Sequence, residues 1–368
     1  MKVKDICDLH NGRAFKPGDW GSEGLPIIRI QNLNDEKAPF NYFSGEHSPV
    51  HEINDGDLLF SWSGTPGTSF GAFRWRRGKG VLNQHIFKIL PKIEVDKEYL
   101  KYALNGNINT IIAKAHGGVG LQHITKKELD EIDIPIIALP DQLKAVDRIS
   151  SAEKMIAMRK LELQKLDELV KARFVEMFGE PLINTKGWGT RPIVEVAPIK
   201  PLHGNLSDKV WLLNLDAIES QTGNVLFKQR VRSAEINAST VYFTTENILY
   251  SKLRPYLNKV VMPDEDGIAT SELIPMCPQA DKLDRTYLCY WLRSDAFVKH
   301  ISEKVAGAKM PRVSMDYFRT MSIELPPIKL QEQFASFVEQ ADRSKAVVQK
   351  SLDKAQLLFD SLMQEFFG

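Results

Sequence analysis

Nothing in this sequence of 368 residues is long and apolar enough to span a bilayer, and its opening, MKVKDICDLHNGRAF, has no apolar core of a signal peptide. Membrane and secreted classes are set aside, and a cytoplasmic protein is expected. Cysteine is scarce. Cys7, Cys277 and Cys289 are odd in number, show no CxxC spacing and have no clustered histidines, so neither a disulfide framework nor a zinc site is suggested and the three read as ordinary thiols. An excess of one charge is also missing, since the net charge is +1. Residues 1–140 carry 17 Lys and Arg against 17 Asp and Glu, 141–180 carry 8 against 8, 181–330 carry 19 against 16, and the remainder 4 against 6. Any basic face must be local.

Catalytic signatures are absent too. Gly78-Lys79 has Phe73 where the first glycine of a phosphate-binding loop belongs, and the run at Gly117 to Gly120 does not join a strand to a helix. Leu325-Pro326-Pro327-Ile328 lacks the polar first residue and the aromatic of an amino-methyltransferase motif. Pro263-Asp264 has no acid-x-Lys downstream, and no Ser, His and acid grouping is interpretable from spacing. No catalytic residue, metal ligand or cofactor of its own is assigned to the chain.

What is present is a pair of long helical stretches. Asp141 to Gly179 contains no proline and no glycine before its last residue, so it reads as one helix of roughly 55 Å. Glu332 to Gly368 is its near-copy. There Phe334, Val338, Ala341, Lys345, Val348, Leu352, Ala355, Phe359, Leu362 and Phe366 follow at steps of four and three, a heptad seam. The first stretch repeats the seam through Val146, Ile149, Glu153, Ile156, Lys160, Leu163, Asp167, Val170, Phe174 and Met177, with three polar interruptions. Two such stripes are more simply buried against each other than carried on independent surface helices; either orientation is sterically open, and a repeat related by a two-fold axis would make the pairing antiparallel. Aligned midpoints then place Asp167 near Lys345.

The segments before each helix share an order of features. Leu25 to Leu33 and Trp211 to Asp216 read as extended, the turn-flanked strands Asn54 to Ser61 and Thr245 to Ser251 follow, and Asp96 to Leu104 and Asp284 to Leu292 read as short helices. Ile134-Pro135 matches Leu325-Pro326, and Asp141-Gln142 matches Glu332-Gln333, each at an offset of 191 (326 minus 135, 333 minus 142), while the endings at Gly179 and Gly368 are offset by 189 (368 minus 179). The expected architecture is α+β: two α/β domains in tandem duplication, separated by two long helices that form an antiparallel coiled coil with pseudo-two-fold symmetry. The boundaries read as 1–140 for the first domain, 141–180 for the central helix, 181–330 for the second domain and 331–368 for the C-terminal helix.

This arrangement resembles the specificity subunit of a type I DNA restriction-modification system. The resemblance rests on Ile28-Arg29-Ile30-Gln31-Asn32, on the helix entrances Pro135-x-x-x-x-Pro140-Asp141-Gln142 and Pro326-Pro327-x-x-x-x-Glu332-Gln333, and on the endings Phe174-x-x-Met177-Phe178-Gly179 and Met363-x-x-Phe366-Phe367-Gly368. No single motif is specific; the duplicated order across the whole chain is. The family implies two target-recognition domains, each reading half of a split target on double-stranded DNA. It also implies a helical pair that docks two adenine methyltransferase subunits and, in the full complex, restriction-translocation subunits. S-adenosylmethionine, ATP and Mg2+ would then belong to those partners. The sequence ends at Gly368, so an extra C-terminal repeat seen in some relatives is not expected. A rod of roughly 55 Å corresponds to about 16 base pairs. The competing reading is a coiled-coil adaptor that joins two protein partners without DNA.

On the DNA reading, the basic cluster Arg74, Arg76, Arg77 and Lys79, taken as lying beside Trp62 and Thr65, supplies forks and charges for phosphates or guanine. Gln84, His85 and Gln122 offer amide and imidazole groups to adenine edges. In the second half the candidates are Lys252, Arg254 and Tyr256 after the strand ending at Ser251, with His203, Asn205, Lys309 and Arg312. Plain solvation or a turn accounts for the same residue types, and Arg29 and Asn214, read as strand residues, serve a structural hydrogen bond equally well.

Overall fold

The computed structural model describes residues 1–65, 68–118, 121–203, 208–232, 240–306 and 310–368. It has two compact units, one formed by Met1–Lys160 with Lys350–Gly368, the other by Leu161–Gln349. The division cuts through two helices, Leu139–Phe178 and Ile328–Phe367, each of 40 residues, or about 60 Å. Both start where proline is tolerated: Pro140 is the second helical residue, and Pro326-Pro327 immediately precede Ile328. The central helix stops at Gly179, whose φ of +81° suits a residue without Cβ. No helix among the described residues is long and apolar enough to cross a membrane.

The predicted seams are the packed faces. On the C-terminal helix Phe334, Val338, Ala341, Val348, Ala355 and Leu362 are buried, and on the central helix Ile149, Ile156, Val170 and Phe174. The polar interruptions Glu153, Lys160 and Asp167 stay exposed. In the unit Leu161–Gln349, Phe174 and Phe178 meet Phe334 at ring distances of 5.3 and 5.5 Å, and Arg173 lies 5.9 Å over Phe337. Further along, Lys345 Nζ donates to Asp167 at 2.7 Å, the pair anticipated from aligned midpoints. Numbers fall along one helix as they rise along the other, so the helices run antiparallel. In the other unit Arg148 donates to Glu365 at 2.9 Å and its guanidinium lies 5.5 Å from the Phe366 ring. Burial is the largest single influence on Lys345 and lowers its pKa, but the bond to Asp167 together with the charges of Asp167, Asp342 and Tyr290 makes the net shift upward.

Each unit contains one helix entrance and one helix ending. In the first, Phe367 packs 5.3 Å from Tyr99, and in the second Phe178 packs 4.8 Å from Tyr287. Asp96 and Asp284 cap the short helices Lys97–Gly106 and Arg285–Arg293. The amide N–H groups of Asp96 and Asp284 donate at 2.9 Å to the side chains of Gln142 and Gln331, both buried. Gln142 Nε2 donates to Ile137 O, and Gln331 Nε2 donates to Pro326 O. These equivalences correct the predicted register. Gln142 corresponds to Gln331, an offset of 189 (331 minus 142), while Gln333 is exposed. Tyr99 donates to Pro135 O and Tyr287 to Glu324 O, which gives 189 again (324 minus 135). Matching the prolines slipped the alignment by two residues, because a proline is required near the helix entrance but not at one fixed position there.

Both units hold the same mixed sheet. Asn41–Phe43, Leu25–Ile28, Gly80–Leu82 and Glu52–Ile53 lie side by side in one, and Gln229–Arg232, Lys209–Leu213, Gly267–Thr270 and Thr240–Phe243 in the other. In each the two middle strands are parallel and the outer two antiparallel to them. The stretches read as extended through Leu33 and Asp216 end sooner. Arg29 and Asn214 are the residues at which the chain leaves the strand for the short helices Ile30–Asn34 and Leu215–Ala217. Arg29 N donates to Asn32 Oδ1 at 3.1 Å, a local bond that competes with strand continuation.

Candidate nucleic-acid interface

Beneath each mixed sheet lies an antiparallel one, and the chain leaving its middle strand builds the candidate interface. Leu58–Ser61 pairs with Ile86–Pro91 on one side and with Gly71–Arg74 on the other. Ile248–Ser251 pairs with Leu273–Met276 and Val260–Val261. Ser61 and Ser251 end their strands alike, each donating its hydroxyl at 3.0 Å to a carbonyl two residues on, Ser63 O and Leu253 O.

In the first unit the chain then pairs Ser63–Gly64 with Leu121–His123, which in turn pairs with His116–Gly118. Ile124 N donates to Trp62 O at 2.9 Å, so Trp62, Thr65, Gln122 and His123 are brought together from about 60 residues apart. Trp62 Nε1 donates to Asn11 Oδ1 at 2.9 Å, and its ring lies 5.0 Å from His85. Gln84 Nε2 is 3.2 Å from His85 Nε2, while His85 Nδ1 is buried without a partner among the described residues. His116 Nε2 meets Glu128 Oε1 at 2.5 Å. Glu128 is held down to about 2 by hydrogen bonds from Thr125 first and from His116 next. Neither Asn11 nor His116 stands out in the sequence, because their partners are 51 and 12 residues away.

The basic cluster is not part of this group. Ser61 pairs with Gly71 but Arg74 pairs with Leu58, so Arg74 to Lys79 emerge at the opposite end of the strand pair from Trp62. Three residues of extended chain amount to about 10 Å. Most of the cluster is also engaged in structural contacts. Arg74 donates to Gly56 O and lies 3.3 Å from Glu98, and Arg77 donates to Asn32 O and Asp35 O with its guanidinium 4.3 Å from the Phe40 ring. Lys79 sits 3.0 Å from Glu52 and is exposed, and Arg76, 3.5 Å from Glu98, is the most exposed member at 73%.

In the second unit Val313 N donates to Lys252 O at 2.9 Å, Leu253 bridges Arg312, and Arg254 N donates to Pro311 O at 2.8 Å. Val305–Ala306 and Arg312–Val313 form the strand pair equivalent to the one around His123. Lys252, Arg254, Tyr256 and Arg312 are thereby brought to one place. Arg312 is held by Glu272 at 3.0 Å. Tyr256 is 47% exposed, anchored by Gln221 Nε2 on its carbonyl at 2.9 Å. Arg254 is exposed, with φ +49° and ψ 62°. His203 packs its ring 4.3 Å from Tyr242, and Asn205 and Lys309 lie outside the described residues.

The same backbone corner thus presents aromatic, imidazole and amide groups in one half and cations with a tyrosine in the other. The model of the type I restriction modification DNA specificity domain matches residues 1–168 and again 186–356. The chain belongs to the type I restriction-modification DNA specificity family. It is 22% identical to the type I restriction enzyme EcoDI specificity subunit of Escherichia coli, over 96% of this chain and 88% of that one. Identity to the MjaVIII specificity subunit of Methanocaldococcus jannaschii is also 22%, over 83% and 76%. The fold is shared with the S subunit of the type I restriction-modification system of M. genitalium, at TM-score 0.58 and 13% identity, covering 100% of this chain and 95% of that one. It is likewise shared with a chain from a structure describing complex assembly and conformational transition of the type I system, at TM-score 0.57 and 14% identity, covering 100% and 96%. The role of this specificity family is DNA target recognition, and nothing in these likenesses favours the adaptor reading.

Proposed function

We propose that this chain is the DNA-sequence-specificity subunit of a type I restriction-modification assembly, each half reading one part of a split target on double-stranded DNA. The observation that carries this is the twice-built corner after Ser61 and Ser251. Its backbone bonds are the same in both halves and its side chains differ. One scaffold with two chemistries is what a protein needs to recognise two unlike half-sites. The antiparallel helices set the gap and, with their exposed faces, dock two adenine methyltransferase subunits, to which restriction-translocation subunits add in the full complex. The chain is non-catalytic alone; S-adenosylmethionine, ATP and Mg2+ act in the partner subunits. Trp62, Thr65, Gln84, His85 and Gln122 face DNA in the first half and Lys252, Arg254 and Tyr256 in the second, with Lys252 and Arg76 serving phosphates.

Co-expression with a methyltransferase partner, followed by single-molecule mapping of modified adenines, tests the proposal. A split motif with a fixed gap, lost when this chain is omitted, is expected. A folded, bound partner that modifies nothing, or modifies without a split motif, overturns it.

A further inference from the structure

We propose that Arg254 is a specificity-determining residue of the second half, its guanidinium fork donating to the O6 and N7 edge of one guanine in the major groove. This rests on the specificity-subunit reading above. The backbone supplies the first argument. Arg254 sits at φ +49° and ψ 62°, a left-handed conformation that a Cβ disfavours, and Pro255 behind it pushes the preceding residue toward extended backbone instead. Counting from Ser61 and Ser251, the residue equivalent to Arg254 is Gly64, at an offset of 190 (254 minus 64), and its φ is +154°. The two halves differ here: Gly64 is near-extended and a Cβ on it would meet Ser69 Oγ at 2.4 Å, whereas Arg254 holds a left-handed conformation that glycine would adopt without strain, so the local backbone does not account for an arginine at this place and its side chain is the remaining reason for it.

The second argument is the state of that side chain. Nearby cations are engaged: Arg312 with Glu272, Arg293 with Val260 O and Lys259 with Leu215 O. The Arg254 guanidinium is exposed and has no carboxylate, carbonyl or ring partner among the described residues. Its base is nevertheless fixed, because Arg254 N donates to Pro311 O at 2.8 Å, Leu257 N donates to Arg254 O at 2.9 Å, and Pro255 is buried. A free cation on a fixed backbone is placed for a partner outside the chain. A planar fork meets two acceptors at once on a phosphate or on the O6 and N7 edge of guanine. Lys252 two residues earlier already supplies charge for a phosphate, so what an arginine adds here is the fork toward a base edge, and the variants below separate the two acceptors.

The test uses the complex with its methyltransferase partner and three variants. Arg254→Gly relieves the backbone, Arg254→Lys keeps charge without the fork, and Arg254→Asn, tolerated in the left-handed region, is a second neutral variant should glycine loosen the segment. Glycine is expected to keep or raise the Tm and leave the first half-site unchanged. One guanine of the second half-site becomes degenerate, with discrimination falling about 5- to 150-fold, and lysine does not restore it. An unchanged motif in the glycine and asparagine variants overturns the inference, as does full restoration by lysine. Equal weakening on every sequence with a shallower salt dependence also overturns it, because that is the signature of a phosphate contact. A wild-type complex that yields no split motif sinks the specificity-subunit reading itself, which separates the two failures.

Discussion

The corner after Ser61 and the corner after Ser251 have one backbone and two chemistries. In the first, Trp62 is tied to Asn11 and packed on His85, with Gln122 and His123 beside it. In the second, Lys252 and Arg254 stand where the tryptophan and a glycine stood. What holds both corners is the serine hydroxyl on the carbonyl two residues on, and the main-chain bonds to the strand pair beyond. Since none of these bonds involves a side chain of the presented residues, those residues can differ while the bonds persist, although Arg254 carries backbone strain that glycine would not. The buried side chains tell the opposite story. Gln142 and Gln331, and Tyr99 and Tyr287, are the same in kind because each satisfies a backbone group that would otherwise lose a partner, and the half-buried Asp96 and Asp284 do so for the first amides of their helices.

Exchanging residues 181–330 for the matching half of a relative is the strongest way to break this comparison. It should replace one half-site entirely and leave the other as it was in methylation mapping; a change in both halves would mean that the corners do not read independently. A smaller effect is expected at the helix entrances. Gln331→Ala leaves Asp284 N–H without its acceptor and should destabilise by about 1–3 kcal/mol in chemical denaturation. Gln333→Ala, at the exposed position that matching prolines had favoured, should stay within about 0.5 kcal/mol.

The basic cluster offers a third contrast. Arg77→Ala removes two bonds to carbonyls and the packing on Phe40, and should lower stability by about 1–2 kcal/mol without altering the methylated motif. A relaxed motif at unchanged stability would return Arg77 to the DNA-reading set. The smallest effect concerns acid. Glu128 has a pKa near 4.5 when free and about 2 in the fold, so the stability it lends is complete above about pH 4.5 and disappears as pH falls toward 2. The strands around His116 and His123 should therefore gain amide exchange across that window, and Glu128→Gln should flatten the dependence.

Much of the frame was legible in the sequence because it is periodic or local. The two seams were read residue by residue, antiparallel pairing followed from the duplication, and Asp167 with Lys345 followed from the pairing. The short helices read from Asp96 and Asp284 are there, and the structure shows those two aspartates to be their caps. Where the reading slipped, a short-range mark had been taken for a position. Pro135 and Pro326 punctuate the chain but do not occupy equivalent sites, and the extended stretches at Arg29 and Asn214 yielded to local hydrogen bonding at the strand ends.

The candidate interface was legible only in part. Trp62 with Gln122, and Lys252 with Arg254 and Arg312, were named, yet the cluster Arg74 to Lys79 was placed beside Trp62 although antiparallel pairing puts it at the far end. By itself the sequence determined the helices, their stripes and the duplication, since each depends on spacings of a few residues along one chain. Only the tertiary structure decided which cations are bound inside the protein and which are left to face outward. An arginine's availability depends on carboxylates and carbonyls that arrive from elsewhere in the chain, as Glu98 reaches Arg74 and Glu272 reaches Arg312 while no such group reaches Arg254 among the described residues.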